Sequence, residues 1–141
     1  MEKERMLKMS EKIRVMFVEP LEKPKLITID HTLETLQKLV GGYIQALYPW
    51  ENEEVAVIVN DEGKMNGSLP NRRIESEDWE DIIFGNFLIT GLTADNFGSL
   101  SDELAEKYMA KFAYPEIFMR MGRHGMTCVK VGSHEKPHAF E

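Results

Sequence analysis

The chain has 141 residues, of which 43% are hydrophobic, and a formal net charge of −7. This length is sufficient for one hydrophobic core and too short for two typical domains. The charge is uneven, because residues 41–110 carry fourteen acidic and four basic side chains. An acidic middle region disfavours direct binding to the phosphates of nucleic acids.

The chain ends and the cysteine content indicate a cytoplasmic protein. Residues 1–5 are mostly charged, and no stretch approaches the roughly 20 apolar residues of a membrane span. Cys128 is the only cysteine, which excludes an internal disulfide. The sequence indicates no cofactor.

In chain order, residues 1–11 are predicted to be a flexible leader, followed by a single domain over residues 12–131. Alternating apolar residues at 13–17 predict a half-buried strand, and residues 26–29 predict a second one. A helix follows, capped by Asp30 or Thr32 and apolar at helical spacing as far as Val40. We expect Gly41 just beyond the helix end with positive φ, because paired glycines disfavour a continuous helix.

The next elements are an antiparallel hairpin, formed by residues 43–48 and 55–59, and a polar loop over residues 60–73. Residues 75–81 are predicted to be a surface turn or a short helix. Residues 82–90 are predicted to form one strand, with Gly85 as a bulge or a point of close approach. A capping pattern starting at Ser99 predicts a second helix, which Pro115 ends.

The C-terminal part carries weaker signals. Residues 117–121 fit an extension of a short helix, residues 127–131 fit a strand, and residues 132–141 are predicted to be a loose tail. His124, His134 and His138 with Cys128 match no structural zinc spacing, so we expect solvated histidines and no metal site.

These elements predict an α+β fold, with a mostly antiparallel sheet of about five strands and two helices packed on it. The predicted site is the polar loop, because loops that follow buried strands commonly carry binding groups. The candidate ligand-binding residues are Tyr43 and, within the loop, Asn60, Asp61, Glu62, Gly63, Lys64, Asn66, Gly67, Asn71, Arg72 and Arg73. No catalytic residue is assigned.

Two interpretations of this loop remain open. Its glycines and asparagines are also typical of simple turns, and its charges of a solvated surface. In the functional interpretation, Lys64, Arg72 and Arg73 converge on an anion while backbone N–H groups approach it closely.

Several stretches together resemble a known family. They are Leu39-Val40-Gly41-Gly42-Tyr43-Ile44, Val57-Ile58-Val59-Asn60-Asp61-Glu62-Gly63-Lys64 with Asn66-Gly67, Leu69-Pro70-Asn71-Arg72, and Gly85-Asn86-Phe87-Leu88. The chain resembles, over about residues 12–112, the domain of unknown function numbered 3846, found in small proteins of bacterial phages, plasmids and other mobile elements. Asp61 stands where that family more often has Glu, and Ser68 looks like an insertion. The resemblance implies a context in the bacterial host cytoplasm and no particular activity.

The leading functional hypothesis is therefore a non-catalytic accessory protein of a phage or mobile element. It would bind a small anionic ligand or a host protein through loop 60–73, and a homo-oligomer is compatible with this role. One alternative is a small enzyme using Asp61, Glu62 and Lys64, although no nucleophile set or dinucleotide motif is present. Another is an acidic inhibitor that mimics nucleic acid, with carboxylates at residues 51, 53, 54, 75, 77, 78, 80 and 81.

Overall fold

The computed structural model of the protein describes residues 11–123 and 125–140. His124 lies outside the described residues, as does nearly all of the predicted leader. In chain order the described elements are β1 (Lys12–Val18), β2 (Lys25–Asp30), α1 (Leu33–Val40), β3 (Ile44–Leu47), β4 (Val55–Asn60), β5 (Pro70–Glu75), β6 (Glu80–Phe84), β7 (Phe87–Leu92), β8 (Phe97–Gly98), α2 (Asp102–Lys111), β9 (Glu116–Arg120), β10 (Met126–Lys130) and β11 (His138–Ala139).

The central sheet is antiparallel, with the strand order β2-β1-β7-β4-β3 and with β8 paired to β7. A β5–β6 hairpin and a three-stranded β11-β10-β9 sheet complete the described β structure. The predicted α+β class, antiparallel pairing and two helices are confirmed. The prediction of one sheet with about five strands is too simple, because the central sheet has six strands and two smaller sheets pack beside it.

Both faces of the central sheet are covered. On one face, α1 contributes Leu36 and Val40 to a core shared with Ile58 of β4. On the other face, α2 and the β5–β6 hairpin pack against the alternate residues of β4, including Val57. All six residues of β4 are therefore buried, which explains why its sequence is a continuous apolar run without alternation.

Several boundaries of secondary-structure elements differ from those predicted from the sequence. Residues 70–73 belong to β5 and not to a loop. Of the two alternatives predicted for residues 75–81, the turn is correct, because these residues contain the β5–β6 turn. The single strand predicted over residues 82–90 is two strands, because Gly85 has a φ of 83° and turns the chain between β6 and β7.

Two further corrections concern the C-terminal half. Ser101 caps α2, whereas Ser99 accepts a hydrogen bond from the backbone N–H of Arg14. Residues 116–120 form β9 instead of extending a helix, because they pair with β10. In the predicted tail, His138–Ala139 form β11, and Nε2 of His138 lies 2.7 Å from Oε1 of Glu80.

Arg72 is fully buried and holds several of these elements together. Its Nη2 donates to the backbone oxygen of Glu22 at 2.6 Å, and its Nε donates to that of Phe112 at 3.3 Å. Its Nη1 donates to Oδ1 of Asn71 at 2.9 Å. Burial lowers the pKa of the guanidinium, and the charge of Glu116 partly opposes that change.

Asn71 extends the same network. Its Nδ2 donates to the backbone oxygens of Val18 at 3.1 Å and of Gly85 at 2.8 Å, while its Oδ1 accepts from Arg72. The amide therefore ties the start of β5 to the end of β1 and to the turn before β7. Asn71 and Arg72 use their polar groups within the protein interior.

Glu116 is the buried acidic group near this network. Its Oε2 accepts from the backbone N–H of Arg73 at 2.6 Å. Burial raises the pKa of the Glu116 carboxyl above its ordinary value of 4.5, although Arg73 and Arg72 favour the charged form.

We predict that Arg72→Ala lowers the free energy of unfolding by at least about 3 kcal/mol, because several buried carbonyl oxygens lose their donor. Urea unfolding of both proteins measures this difference. Arg120→Ala is the matched control, because Arg120 is exposed. Equal stability of the Arg72 and Arg120 variants would contradict a structural role for Arg72.

The raised pKa of Glu116 predicts a pH-dependent stability relative to Glu116→Gln. The folded protein holds this proton more tightly than the unfolded chain, so the contribution is complete below about pH 4.5 and is lost as the pH rises through the folded-state pKa. Urea unfolding of both proteins from about pH 4 to about pH 7 should show the wild type losing stability relative to the variant. A difference that stays constant or changes in the opposite direction is incompatible with this assignment.

Candidate functional site

The end of α1 forms one wall of the candidate site. Gly41 has a φ of 83°, which confirms the expected left-handed residue just beyond the helix. The N–H groups of Gly41 and Gly42 both donate to the carbonyl oxygen of Gln37, at 2.8 and 3.0 Å. This arrangement closes the helix in the manner of a glycine C-cap.

Asn60, the last residue of β4, joins this helix end to the polar loop. Its Nδ2 donates to the carbonyl oxygen of Val40 at 3.1 Å, and its Oδ1 accepts from the N–H of Glu62 at 2.7 Å. A Cβ atom on Gly42 would lie 3.0 Å from the same Nδ2, so a larger residue there would crowd the amide. The paired glycines and the loop are therefore held against each other.

The loop itself, residues 61–69, has a defined internal structure. The N–H groups of Met65 and Asn66 donate to the carbonyl oxygen of Glu62 at 2.9 and 3.0 Å. Oδ1 of Asn66 accepts from the N–H of Ser68 at 3.0 Å. A Cβ on Gly63 would lie 2.6 Å from the backbone oxygen of Phe84, so glycine permits the loop to approach β6 closely.

Two depressions border this loop. The first, here called the glycine cleft, has a volume of about 330 Å³ and is lined by Gln37, Gly41, Gly42, Tyr43, Asn60, Glu62 and Asn66. The second, here called the β6 groove, has a volume of about 320 Å³ and lies between residues 61–65 and residues 81–84. Both volumes are compatible with a side chain or a small ligand.

The structure brings together part of the predicted site. Tyr43, Asn60, Glu62 and Asn66 line the glycine cleft, and Asn60, Asp61, Glu62, Gly63 and Lys64 line the β6 groove. Gly67 has a φ of 83° in the loop, and a Cβ atom there would meet no other atom within 4 Å. Glycine is therefore favoured at this position by the backbone conformation and not by lack of space.

The three predicted basic residues do not share one environment. Nζ of Lys64 lies 2.6 Å from Oδ1 of Asp81, at the β6 groove. Arg72 is buried, and Nε of Arg73 donates to Oε1 of Glu80 at 2.7 Å. Within the described part of the chain, the glycine cleft is lined by the carboxylate residue Glu62 and by no basic residue. Lys64, Arg72 and Arg73 therefore do not converge on one anion, although the functional interpretation of the loop predicts that they do.

The predicted site residues did not include the apolar side chains of the loop itself. Met65 and Leu69 have exposed fractions of 83% and 59%, and Tyr43, which was selected, is 75% exposed. The available signal was that Met65 and Leu69 are large apolar residues in an otherwise polar loop, where turn formation does not require them. Exposed apolar side chains with this position are typical of contact surfaces.

Among the described residues, the three side chains of the enzyme alternative, Asp61, Glu62 and Lys64, form no ion pair with one another. Asp61 and Glu62 are exposed, and Lys64 pairs with Asp81 instead of with either of them. Among the residues that the structure describes, no three His, Cys, Asp or Glu side chains are grouped to hold a metal ion. Neither helix in residues 11–123 and 125–140 is long and apolar enough to cross a membrane.

The fold and site together define a small α+β protein with an antiparallel sheet between two helices and a loop-bordered cleft on its surface. Residues 13–113, more than half of the chain, match the family described as Domain of unknown function (DUF3846), and the protein belongs to this family. The match includes the glycine cleft and loop 61–69, whereas β9, β10 and β11 lie beyond it. No curated protein and no solved structure matches the chain.

We predict that Gly41→Val lowers the free energy of unfolding by about 1–3 kcal/mol, because a β-branched residue resists positive φ. Thermal and urea unfolding provide the measurement. Lys38→Val is the control, since Lys38 is an exposed position of the same helix and has helical φ. A Gly41 variant no less stable than the control would argue against this helix ending.

Proposed function

We propose that the protein is a non-catalytic accessory protein that binds a protein partner through the loop surface, defined as Tyr43, Met65, Leu69 and the polar groups of residues 61–68. The family resemblance suggests that the protein acts in a bacterium carrying a phage or another mobile element. The partner would then be a host protein in the cytoplasm.

One observation carries this proposal. Met65, Tyr43 and Leu69 have the highest exposed fractions of all large hydrophobic side chains in the described residues, and all three lie on or beside one loop. Scattered exposed apolar residues are ordinary, but their concentration at one structured loop is not. Tyrosine and methionine are also enriched at protein interfaces.

The loop is suited to binding because its conformation is already fixed. The hydrogen bonds of Asn60 and Asn66 hold residues 60–68 before any partner arrives. Preorganisation lowers the entropic cost of association, because fewer backbone torsions are ordered on binding. The exposed side chains of Asp61 and Glu62 supply a polar rim beside the apolar contacts.

The same contacts disfavour the other functions. A small anion in the glycine cleft would be repelled by the carboxylate of Glu62. Lys64, the basic residue of the loop, pairs with Asp81 at the β6 groove instead of lining this cleft. For a nucleic-acid mimic, ion pairs already engage Glu53, Glu75, Glu80 and Asp81, which are four of the eight proposed carboxylates. Neutralised carboxylates cannot reproduce a continuous phosphate-like charge.

Photo-crosslinking in bacterial cells tests the proposal directly. A photoreactive phenylalanine analogue is placed at position 43 or 65 in the full chain, and the same analogue at position 33 is the control. Leu33 is also highly exposed but lies at the opposite end of α1 from Gly41. We expect one crosslinked protein from positions 43 and 65 and none from position 33. The same products from all three positions, or none from 43 and 65, would refute the proposal.

Substitutions then measure the contribution of the surface to affinity. Tyr43→Ser with Leu69→Ser should weaken binding of the crosslinked partner by at least about tenfold, while unfolding stays close to wild type because both side chains are exposed. Leu33→Ser is the matched control, with an exposed fraction of 58% against 59% for Leu69. Unchanged affinity in the double variant would move the binding site away from this loop.

A further inference from the structure

A third cavity lies where the C-terminal sheet packs against β5, away from the loop surface. It has a volume of about 310 Å³ and is lined by Arg73, Glu116, Cys128, Lys130, Glu135, Lys136 and His138. None of these residues except Arg73 belonged to the site predicted from the sequence. The cavity joins the family domain to the strands beyond residue 113.

Glu116 places a buried acceptor in this cavity. The residue is only 5% exposed, and its Oε2 accepts from the N–H of Arg73. Its Oε1 accepts no hydrogen bond from residues 11–123 and 125–140 and is not fully enclosed, so it is open to the cavity that the residue lines. A ligand that donates to this open carboxylate oxygen would form a charge-assisted hydrogen bond with it.

Basic residues also line the cavity. Lys136 is exposed and has no ion-pair partner among the described residues, whereas Nζ of Lys130 lies 2.9 Å from Oε2 of Glu135. Nε2 of His138 is engaged by Glu80. The cavity therefore combines one buried carboxylate with at least one available cation nearer the solvent.

Cys128 adds no further charge to the cavity. Burial raises the pKa of its thiol to about 11, so the sulfur stays protonated near neutral pH. A thiol in this state is a poor nucleophile. The cavity is accordingly better suited to reversible binding than to covalent chemistry.

We propose that this C-terminal cavity binds a small zwitterion of the free amino acid class, with its ammonium group donating to Oε1 of Glu116 and its carboxylate facing Lys136. A simple anion would be repelled by Glu116, and a simple amine would leave Lys136 unmatched. A ligand with both charges satisfies both groups, and charge-assisted hydrogen bonds are stronger than neutral ones.

Calorimetric titration of the full chain tests this ligand class. The probes are glycine, β-alanine and 4-aminobutanoate, which differ in the separation of their charges, with ethylamine and acetate as single-charge controls. We expect one of the three amino acids to bind with a Kd of about 1 mM or lower, and both controls to bind at least about tenfold more weakly. Equal binding of acetate, or no binding of any amino acid up to about 10 mM, would overturn the proposal.

Two variants locate the binding site. Glu116→Gln keeps an oxygen for the N–H of Arg73 but removes the charge, so affinity should fall by about tenfold or more. Lys136→Met should weaken the affinity for the amino acid severalfold without changing the stability of the protein. Lys38→Met, at an exposed position on α1, is the control and should leave the affinity unchanged. Full affinity in the Lys136 variant would overturn the proposed orientation, even if Glu116→Gln does not fold. Tyr43→Ser should leave this titration unchanged, so the two proposals fail independently.

Discussion

The burial of Arg72 is the constraint on which most of this structure depends. A guanidinium cannot lose its charge at ordinary pH, so its removal from water requires acceptors on several sides. The protein supplies them from the β1–β2 connection, the end of α2 and the neighbouring Asn71. These acceptors are mostly neutral carbonyls, and Glu116 acts on the charge from farther away. The β5–β6 hairpin is thereby fixed against one face of the central sheet, which completes the second core.

This arrangement also determines where binding groups can lie. Because Arg72 faces the interior, the adjacent Arg73 points toward Glu80 and the C-terminal cavity. Lys64 remains with Asp81 at the β6 groove. The two proposed sites, the loop surface and the C-terminal cavity, are consequently separate and differ in chemistry. The first is an exposed mixture of apolar and polar groups on a preorganised loop, and the second is a small cavity around a buried carboxylate.

Local sequence signals were sufficient for much of the first site. The apolar run before Asn60 indicated a buried strand, and the glycine pair indicated both the end of α1 and the positive φ of Gly41, which the structure confirms. Tyr43 and the first half of loop 60–73 do meet at a cleft. The second half does not, because residues 70–73 belong to a strand whose polar side chains were indistinguishable in sequence from those of a solvated loop. Met65 and Leu69 were missed because exposure is a property of the folded surface.

The sequence by itself determined the α+β class, the positions of α1 and β4, and the glycine-dependent turn at residue 41. These features depend on side-chain periodicity and backbone preferences within a few neighbouring residues. Only the tertiary structure decided which charges are buried, because the acceptors of Arg72 are 50 and 40 residues away along the chain. The strands on either side of Gly85 also join different sheets, because β6 pairs with β5 whereas β7 pairs with β1 and β4. Two neighbouring arginines therefore have different environments. Arg72 is buried and donates to carbonyl oxygens of distant segments, whereas Arg73 is partly exposed and pairs with Glu80.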